Sequence, residues 1–195
     1  LNLIQSVIDS FSKMPVNPAL QNNWITEVLY TVPSDLIVDD YYEGKSAKPI
    51  HIAMGLPVKR PQWEEEIIKT VRKTDVTIIK SSSGQGKSTL AWLVTKTLSC
   101  ELFKIYQIVY CPNWEQANAI KDFIETRLKI GENPIIVIDG LNQSVSAWVD
   151  LAEHLKDVPV KILITTREED WIKYGADISK ITIKSVEIKL TMTEA

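Results

Sequence analysis

The stretch that decides the fold is Ser81-Ser82-Ser83-Gly84-Gln85-Gly86-Lys87-Ser88-Thr89-Leu90-Ala91. It follows a β-rich segment, residues 76–80, and it precedes a helical segment that extends to about Leu98. A glycine-rich turn between a strand and a helix points backbone N–H groups, and the positive end of the helix, toward an anion. The segment therefore predicts a phosphate-binding loop, in the strand–loop–helix context that this motif requires.

Positions within the loop carry separate roles. Lys87 is expected to reach the β- and γ-phosphates, and the Ser88 hydroxyl is expected to hold Mg²⁺. The remaining nucleotide-binding residues expected from the loop are Ser83, Gly84, Gln85, Gly86 and Thr89. The motif usually begins with glycine, whereas Ser81 stands there; a serine makes the same turn if its φ is negative.

Length and composition exclude several classes of protein. The 195 residues suffice for one α/β domain with a modest extension, and a net charge of −3 argues against a broad basic surface for nucleic acid. Two cysteines without metal-ligand spacing suit a reducing compartment, so we expect a cytoplasmic location. No apolar run approaches the roughly 18 residues that a membrane span needs, and no signal peptide is visible. Because the sequence begins with Leu1, we expect a segment excised from a longer protein.

The first part of the chain is predicted to be a helical extension. Apolar residues recur at helical spacing through residues 3–11 and again at Trp24, Ile25, Val28 and Leu29. Prolines and glycines interrupt residues 31–61, which we interpret as an irregular arm. We therefore predict a helical segment and linker over residues 1–55, and a nucleotide-binding core over residues 56–195.

Helices and strands are predicted to alternate from Trp63 onward. Such alternation predicts a parallel sheet with helices on both faces, and ligands bind such sheets at the carboxyl ends of the strands. The predicted helices are 62–73, 87–99, 113–129 and 145–155, and the predicted strands are 76–80, 105–110, 135–139, 160–166 and about 185–190.

A second motif, residues 134–140, reads as a buried strand that ends in Asp139. A carboxylate at this place can hold the Mg²⁺ shell opposite Ser88, usually through water. Asp-Gly is also a common turn pair, so the alternative is a core strand followed by a turn. The phosphate-binding loop upstream favours the metal-binding role.

A third motif, residues 161–167, is an apolar strand that ends in Thr-Thr-Arg. Arg167 at the carboxyl end of this strand can form a bidentate contact with a γ-phosphate. The alternative is a surface arginine paired with Glu168 or Glu169. We take Lys87, Asp139 and Arg167 as the candidate catalytic residues.

Together these motifs resemble the STAND class of P-loop NTPases, which includes the NACHT and NB-ARC domains, over about residues 56–195. Residues 84–91 resemble its Walker A motif, 136–141 its Walker B motif and 163–167 its sensor strand. Residues 56–60 resemble a short element that flanks the nucleotide base, although Lys59 stands where the family has glycine. On this resemblance alone, Arg60 is added to the expected nucleotide-binding residues.

The resemblance implies a three-layer fold of the ASCE or AAA+ kind, with five parallel strands in the order fifth, first, fourth, third, second. It places strand 161–166 between the phosphate-loop strand and the Walker B strand. It also implies ATP or ADP with Mg²⁺ as ligands, homo-oligomerisation of the full-length protein, and effector or sensor domains elsewhere in it. A helix starting at residues 191–195 would begin the lid and winged-helix domains of the family.

One departure from the family concerns hydrolysis. Members often carry further acids after the Walker B Asp-Gly pair, whereas this chain has Asn142 and Gln143, which accept no proton near neutral pH. Both could still position a water by hydrogen bonding. We expect slow hydrolysis or none by this chain alone.

Three functions stay open at this point. The first is a nucleotide-operated oligomerisation switch in signalling or in immune and antiphage defence. The second is a catalytic P-loop enzyme, such as an AAA+-type remodeller or a small-molecule kinase. The third is a scaffold whose nucleotide site has decayed. The intact Gly86-Lys87-Ser88-Thr89, together with Asp139 and Arg167, favours the switch over the scaffold.

Overall fold

The computed structural model describes residues 16–32, 39–43, 45–176 and 185–189. The helical spacing over residues 3–11 and the helix start at residues 191–195 lie outside the described residues. The strands are β1 (Ile25–Glu27), β2 (Val76–Lys80), β3 (Phe103–Ile108), β4 (Asn133–Asp139), β5 (Lys161–Thr166) and β6 (Ser185–Lys189).

The helices of the described chain lie mostly between these strands. They are α1 (Pro18–Gln21), α2 (Asp39–Tyr42), α3 (Pro49–Ala53), α4 (Pro61–Lys73), α5 (Lys87–Ser99), α6 (Trp114–Lys129), α7 (Trp148–His154) and α8 (Glu168–Tyr174). The predicted helix 145–155 is instead a 3₁₀ turn, Gln143–Val145, followed by α7, and α8 was not predicted. Within the described part of the chain, no helix is long and apolar enough to span a membrane.

The strands form one sheet in the order β1-β3-β4-β5-β2-β6. All neighbouring strands from β3 to β6 run parallel, and β5 lies between β2, which precedes the glycine-rich loop, and β4, which ends in Asp139. β1 pairs antiparallel with β3 at the other edge. The expected sheet of five strands, all parallel, is therefore wrong in its count: a sixth, antiparallel strand extends it.

This sixth strand also corrects the helix predicted around residues 24–29. Ile25 lies opposite Ile108 of β3, and the Val28 N–H donates to the Ile105 carbonyl at 2.8 Å. The apolar residues here fit a helical period, but Ile25 and Val28 are β-branched, and both are buried in this arrangement. Pairing with the open edge of β3 gives the backbone hydrogen-bond partners and also buries the apolar side chains. A short isolated helix would not achieve both.

Two apolar clusters cover the two faces of the sheet, as alternation along a strand requires. In β4, Ile136 and Ile138 belong to the cluster that also contains the apolar residues of α6 and α7. Ile135 and Val137 belong to the other cluster, with those of α4 and α5. The result is a three-layer α/β architecture with the carboxyl ends of β2, β4 and β5 at one edge.

The arm before the core is ordered where it is described. Ala47 and Ile52 are buried in the cluster on the α5 face, and the Lys96 ammonium of α5 donates to the Ile52 carbonyl at 2.9 Å. Residues 31–61 are therefore not wholly irregular, because α2 and α3 lie within them. The division of the chain at residues 55 and 56 stays a prediction.

Candidate functional site

The loop between β2 and α5 has the backbone of a phosphate cradle. Gly84 and Gly86 both have φ of +77°, a conformation that glycine adopts at little cost. Gly86 directly precedes α5, so the unpaired N–H groups at the start of this helix face the loop. Among the described non-glycine residues, only Asn23 and Leu102 have positive φ, so Ser81 makes the turn without strain.

Lys87 is held by the loop itself. Its ammonium donates to the Ser81 carbonyl at 2.9 Å and to the Ser82 carbonyl at 2.7 Å. Burial lowers the pKa of Lys87, and the Arg167 guanidinium lowers it further, while nearby carboxylates oppose the shift. The lysine therefore has an unfavourable electrostatic environment in the absence of an anion, and a bound phosphate would relieve it.

Asp139 ends β4 and is oriented by its neighbour on β5. The buried Thr165 hydroxyl donates to the Asp139 carboxylate at 2.7 Å and accepts from the Gly140 N–H at 2.8 Å. The Leu141 N–H also donates to the Thr165 carbonyl at 3.0 Å. One threonine thus fixes both the carboxylate and the turn that follows it.

These side chains meet in one cleft of about 770 Å³. Besides Lys87, Asp139 and Arg167, its lining includes five other predicted residues of the loop and the helix start: Ser83, Gly84, Gly86, Ser88 and Thr89. Two predicted residues, Gln85 and Arg60, do not line it. The volume is in the range of ordinary small-molecule sites.

Arg60 instead contacts the outer side of the loop. Its guanidinium donates to the Gln85 carbonyl at 3.0 Å, and it would lie 3.5 Å from a Cβ placed on Gly86. The Arg60 N–H donates to the Glu64 carboxylate at 2.7 Å, which fixes the start of α4. A second cleft of about 420 Å³ is lined by residues 59–63. The expected contact of Arg60 with a nucleotide base stays a prediction.

Arg167 lines the cleft and is 53% exposed. Its guanidinium lies 4.0 Å from the Glu169 carboxylate, at the limit of an ion pair. An exposed pair at this distance contributes little to stability. The contact of Arg167 with a γ-phosphate stays a prediction. The guanidinium can exchange Glu169 for a phosphate at small cost.

Asn142 lines the cleft, and its side chain also caps the turn that follows β4. Its side-chain oxygen accepts from the Ser144 N–H at 2.8 Å, and its side-chain nitrogen donates to the Gly140 carbonyl at 2.7 Å. It begins the 3₁₀ turn that contains Gln143, which is exposed and absent from the cleft lining. The water-positioning role of Asn142 therefore stays a prediction, whereas Gln143 lies outside the cleft lining.

A magnesium ion would find few protein ligands here. In the described part of the chain, no group of three or more His, Cys, Asp or Glu side chains could hold a metal ion. Mg²⁺ usually keeps several waters and takes one or two carboxylates together with substrate phosphates. Ser88 and Asp139, which line the same cleft, fit that mode of binding.

A model of one protein family, described as Novel STAND NTPase 5, matches residues 39–179. The chain belongs to this family of STAND NTPases. It is therefore a nucleotide-binding NTPase domain, and members of such families usually bind nucleotide with Mg²⁺. Because the match begins at residue 39, it includes part of the arm that we assigned to the linker.

Solved structures similar to this STAND NTPase domain are distant. RIF2 from Saccharomyces cerevisiae is 9% identical (TM-score 0.47), with 68% of this chain and 55% of that chain covered. The STAND protein PH0952 from Pyrococcus horikoshii, which has a tetratricopeptide repeat sensor, is 18% identical (TM-score 0.42), with 69% and 23% covered. PCH-2 from C. elegans is 12% identical (TM-score 0.46), with 85% and 46% covered. The domain thus spans about half or less of each chain, and TM-scores below 0.5 carry no functional argument. No curated protein matches it significantly.

Several cleft residues of this STAND NTPase domain escaped the sequence analysis. They are Lys45, Ser46, Ala47, Thr165, Thr166 and Asp170. Asp170 had a usable signal, since it stands three residues after Arg167 in a segment that forms a helix. Residues 45–47 had none, because they belong to no motif and reach the cleft only through the packing of the arm.

Proposed function

We propose that this chain is an ATP- and ADP-binding switch domain, which controls oligomerisation of a signalling or immune defence protein and hydrolyses ATP slowly or not at all by itself. The observation that carries the proposal is the meeting of Lys87, Asp139 and Arg167 in one cleft. Lys87 serves phosphate binding, Asp139 serves the metal, and Arg167 distinguishes a γ-phosphate from its absence.

The environment of Arg167 supports the switching role. A switch needs a difference in affinity between two nucleotides and two conformations, because equal affinities shift no equilibrium. Arg167 is exposed to the cleft and only loosely paired with Glu169, so a γ-phosphate gives it a stronger partner. Arg167 also directly precedes α8, so a change in its position would be transmitted to the first turn of that helix.

Slow hydrolysis follows from the scarcity of acids in the cleft. Among the described lining residues, the carboxylates are Asp139 and Asp170. Asp139 is directed by Thr165 and is needed for the metal. In the turn after β4, residues 140–143 include no acid, and the Asn142 amide accepts no proton near neutral pH. This turn therefore offers no general base toward water.

Asp170 favours the second candidate, a catalytic P-loop enzyme. It is the remaining carboxylate among the described lining residues and lies in the same cleft as Arg167. A carboxylate in this position can act as a general base toward a water or an acceptor hydroxyl. Rapid multiple turnover that is lost in Asp170→Asn would favour this candidate over the switch.

The test is a calorimetric titration of the chain with Mg-ATP and with Mg-ADP. We expect both nucleotides to bind, with Lys87→Ala abolishing binding of both. Arg167→Ala is expected to reduce the preference between the two nucleotides while leaving ADP affinity nearly unchanged. Glu169→Gln is the matched control, because it removes a charge next to Arg167 without removing the guanidinium. Binding that is insensitive to Lys87→Ala would overturn the proposal.

A further inference from the structure

One wall of the nucleotide cleft comes from the arm and not from the core motifs. Lys45, Ser46 and Ala47 line the same cleft as Lys87 and Ser88. Ala47 is only 6% exposed and belongs to the apolar cluster on the α5 face. Packing therefore brings a segment far upstream of the loop into the site.

The residues that follow this segment in the chain make the contacts that fix its position. Ile52 is 1% exposed, and its carbonyl accepts from the Lys96 ammonium of α5 at 2.9 Å. The Lys48 N–H donates to the buried His51 ring at 3.2 Å, which holds the start of α3. The arm is thus attached to α5, the helix whose first turn carries Lys87 and Ser88.

The balance of charges in the cleft favours another cationic contact with the phosphates. Its described charged residues are Lys45, Lys87, Arg167, Asp139 and Asp170. Asp139 would be engaged by the metal, whereas Asp170 repels phosphate oxygens. A Mg-bound triphosphate is still an anion after the metal is counted, so Lys87 and Arg167 alone face a net negative ligand with Asp170 beside it.

One ion-pair partner of Lys45 is an exposed carboxylate. Its ammonium lies 3.0 Å from the Glu43 carboxylate, and the two side chains are 56% and 60% exposed. An exposed lysine–carboxylate pair of this kind contributes little, whereas an ammonium–phosphate contact in a cleft is charge-assisted and better shielded from water. Lys45 lines the same cleft as Lys87 and Ser88, which makes its ammonium a candidate for such a contact.

We propose that Lys45 is a further nucleotide-binding residue, which reaches from the arm to the phosphates of the bound nucleotide. This inference rests on the proposed nucleotide binding and adds a cation that the phosphate-binding loop does not contain. It gives the arm a direct part in the site, so that displacement of the arm would weaken nucleotide binding.

The experiment compares Mg-ATP binding by the whole chain and by three variants. Lys45→Ala is expected to weaken the affinity about tenfold, the size of one lost charge-assisted hydrogen bond. Lys45→Arg keeps the positive charge and is expected to bind within about threefold of the wild type. Lys69→Ala removes the same charge from an exposed site on α4, away from the cleft, and is expected to leave binding unchanged.

Two results would overturn the inference. One is wild-type affinity in Lys45→Ala, and the other is an equal loss in Lys69→Ala, which would reveal a non-specific effect of net charge. Either result leaves the proposed function intact so long as the wild type binds Mg-ATP and Lys87→Ala does not. Failure of the wild type to bind would instead overturn the proposed function and this inference together.

Discussion

The Thr165 hydroxyl donates to the Asp139 carboxylate at 2.7 Å, across neighbouring strands of the sheet. The same hydroxyl oxygen accepts from the Gly140 N–H, so donor and acceptor capacities are both used. Parallel pairing of β4 and β5 places Asp139 directly beside Thr165 in the register. The orientation of the metal-binding candidate is therefore a property of the sheet and not of a mobile loop.

We predict that Thr165→Val weakens Mg-ATP binding about tenfold and destabilises the fold by about 1–2 kcal/mol. Valine keeps the shape but leaves the Gly140 N–H and one carboxylate oxygen without partners. Calorimetric titration with and without EDTA measures the first effect, and urea unfolding measures the second. We expect the affinity loss to shrink in EDTA, because it acts through the metal.

Thr165→Ser is the matched control, since it retains the hydroxyl and removes only a methyl group. Its Mg-ATP affinity is expected to stay within about twofold of the wild type, with a smaller loss of stability. An affinity loss in Thr165→Val that persists undiminished in EDTA would show that the threonine does not act through the metal ligand.

Arg60 is predicted to order the phosphate-binding loop from outside. Arg60→Ala removes the donor to the Gln85 carbonyl and uncovers the backbone at Gly86. We expect faster hydrogen exchange of the amides at residues 82–86 and ATP affinity lowered roughly fivefold, about 1 kcal/mol for one hydrogen bond. Hydrogen-exchange mass spectrometry of the nucleotide-free chain measures the first effect directly.

The control for Arg60 lies on α4, the helix that Arg60 directly precedes. Arg72 of α4 pairs with Glu101, which is far from the loop in the chain and absent from the cleft lining. Arg72→Ala removes the same kind of side chain and is expected to leave loop exchange and ATP affinity unchanged. Equal exchange rates in Arg60→Ala and wild type would mean that the loop holds its shape by its own backbone.

The central part of the site was predictable because its residues are adjacent in local motifs. A glycine-rich turn must lie between a strand and a helix, and acids or arginines that end parallel strands must meet at one edge. Lys87, Asp139 and Arg167 accordingly line one cleft. Their roles in catalysis stay predictions.

What escaped prediction depends on contacts between distant segments. Ile25 and Val28 fit a helix by spacing, but both pair with the open edge of β3, Ile25 within β1 and Val28 directly after it. Lys45 reaches the cleft because Ala47 is buried against the core, and no local pattern indicates that burial. The two hydrogen bonds that the Asn142 side chain makes within its own turn were likewise not predicted.

Asn142 is predicted to be structural, and its replacement tests this. Asn142→Ala should cost about 1 kcal/mol of stability, because the side chain caps the 3₁₀ turn, and should change single-turnover hydrolysis of bound ATP less than twofold. Asn113→Ala is a matched control, since Asn113 caps α6 through the Glu115 N–H at 2.9 Å. A tenfold fall in hydrolysis in Asn142→Ala alone would restore the water-positioning role.

The lowered pKa of Lys87 predicts a pH dependence of stability in the nucleotide-free protein. Burial is the largest cause and the Arg167 charge the second, so the folded state releases this proton at lower pH than the unfolded chain does. Between the folded pKa and the unfolded value near ~10.4, the unfolded state binds more protons, and stability rises with pH. Burial raises the pKa of Tyr30 and Tyr106, which acts in the opposite direction at high pH.

The contribution of Lys87 to the pH dependence of stability is therefore obtained by comparing the wild type with a variant that lacks the ammonium. Urea unfolding of the wild type and of Lys87→Met, between about pH 8 and pH 10.5, gives two curves that share the tyrosine contribution. The free energy of unfolding of the wild type, relative to that of Lys87→Met, is expected to increase as pH rises, because methionine has no proton to lose. Lys69→Met, which removes an exposed lysine of α4, controls for the loss of one positive charge. A difference between the wild type and Lys87→Met that does not change with pH would mean that an unperturbed ammonium occupies the loop.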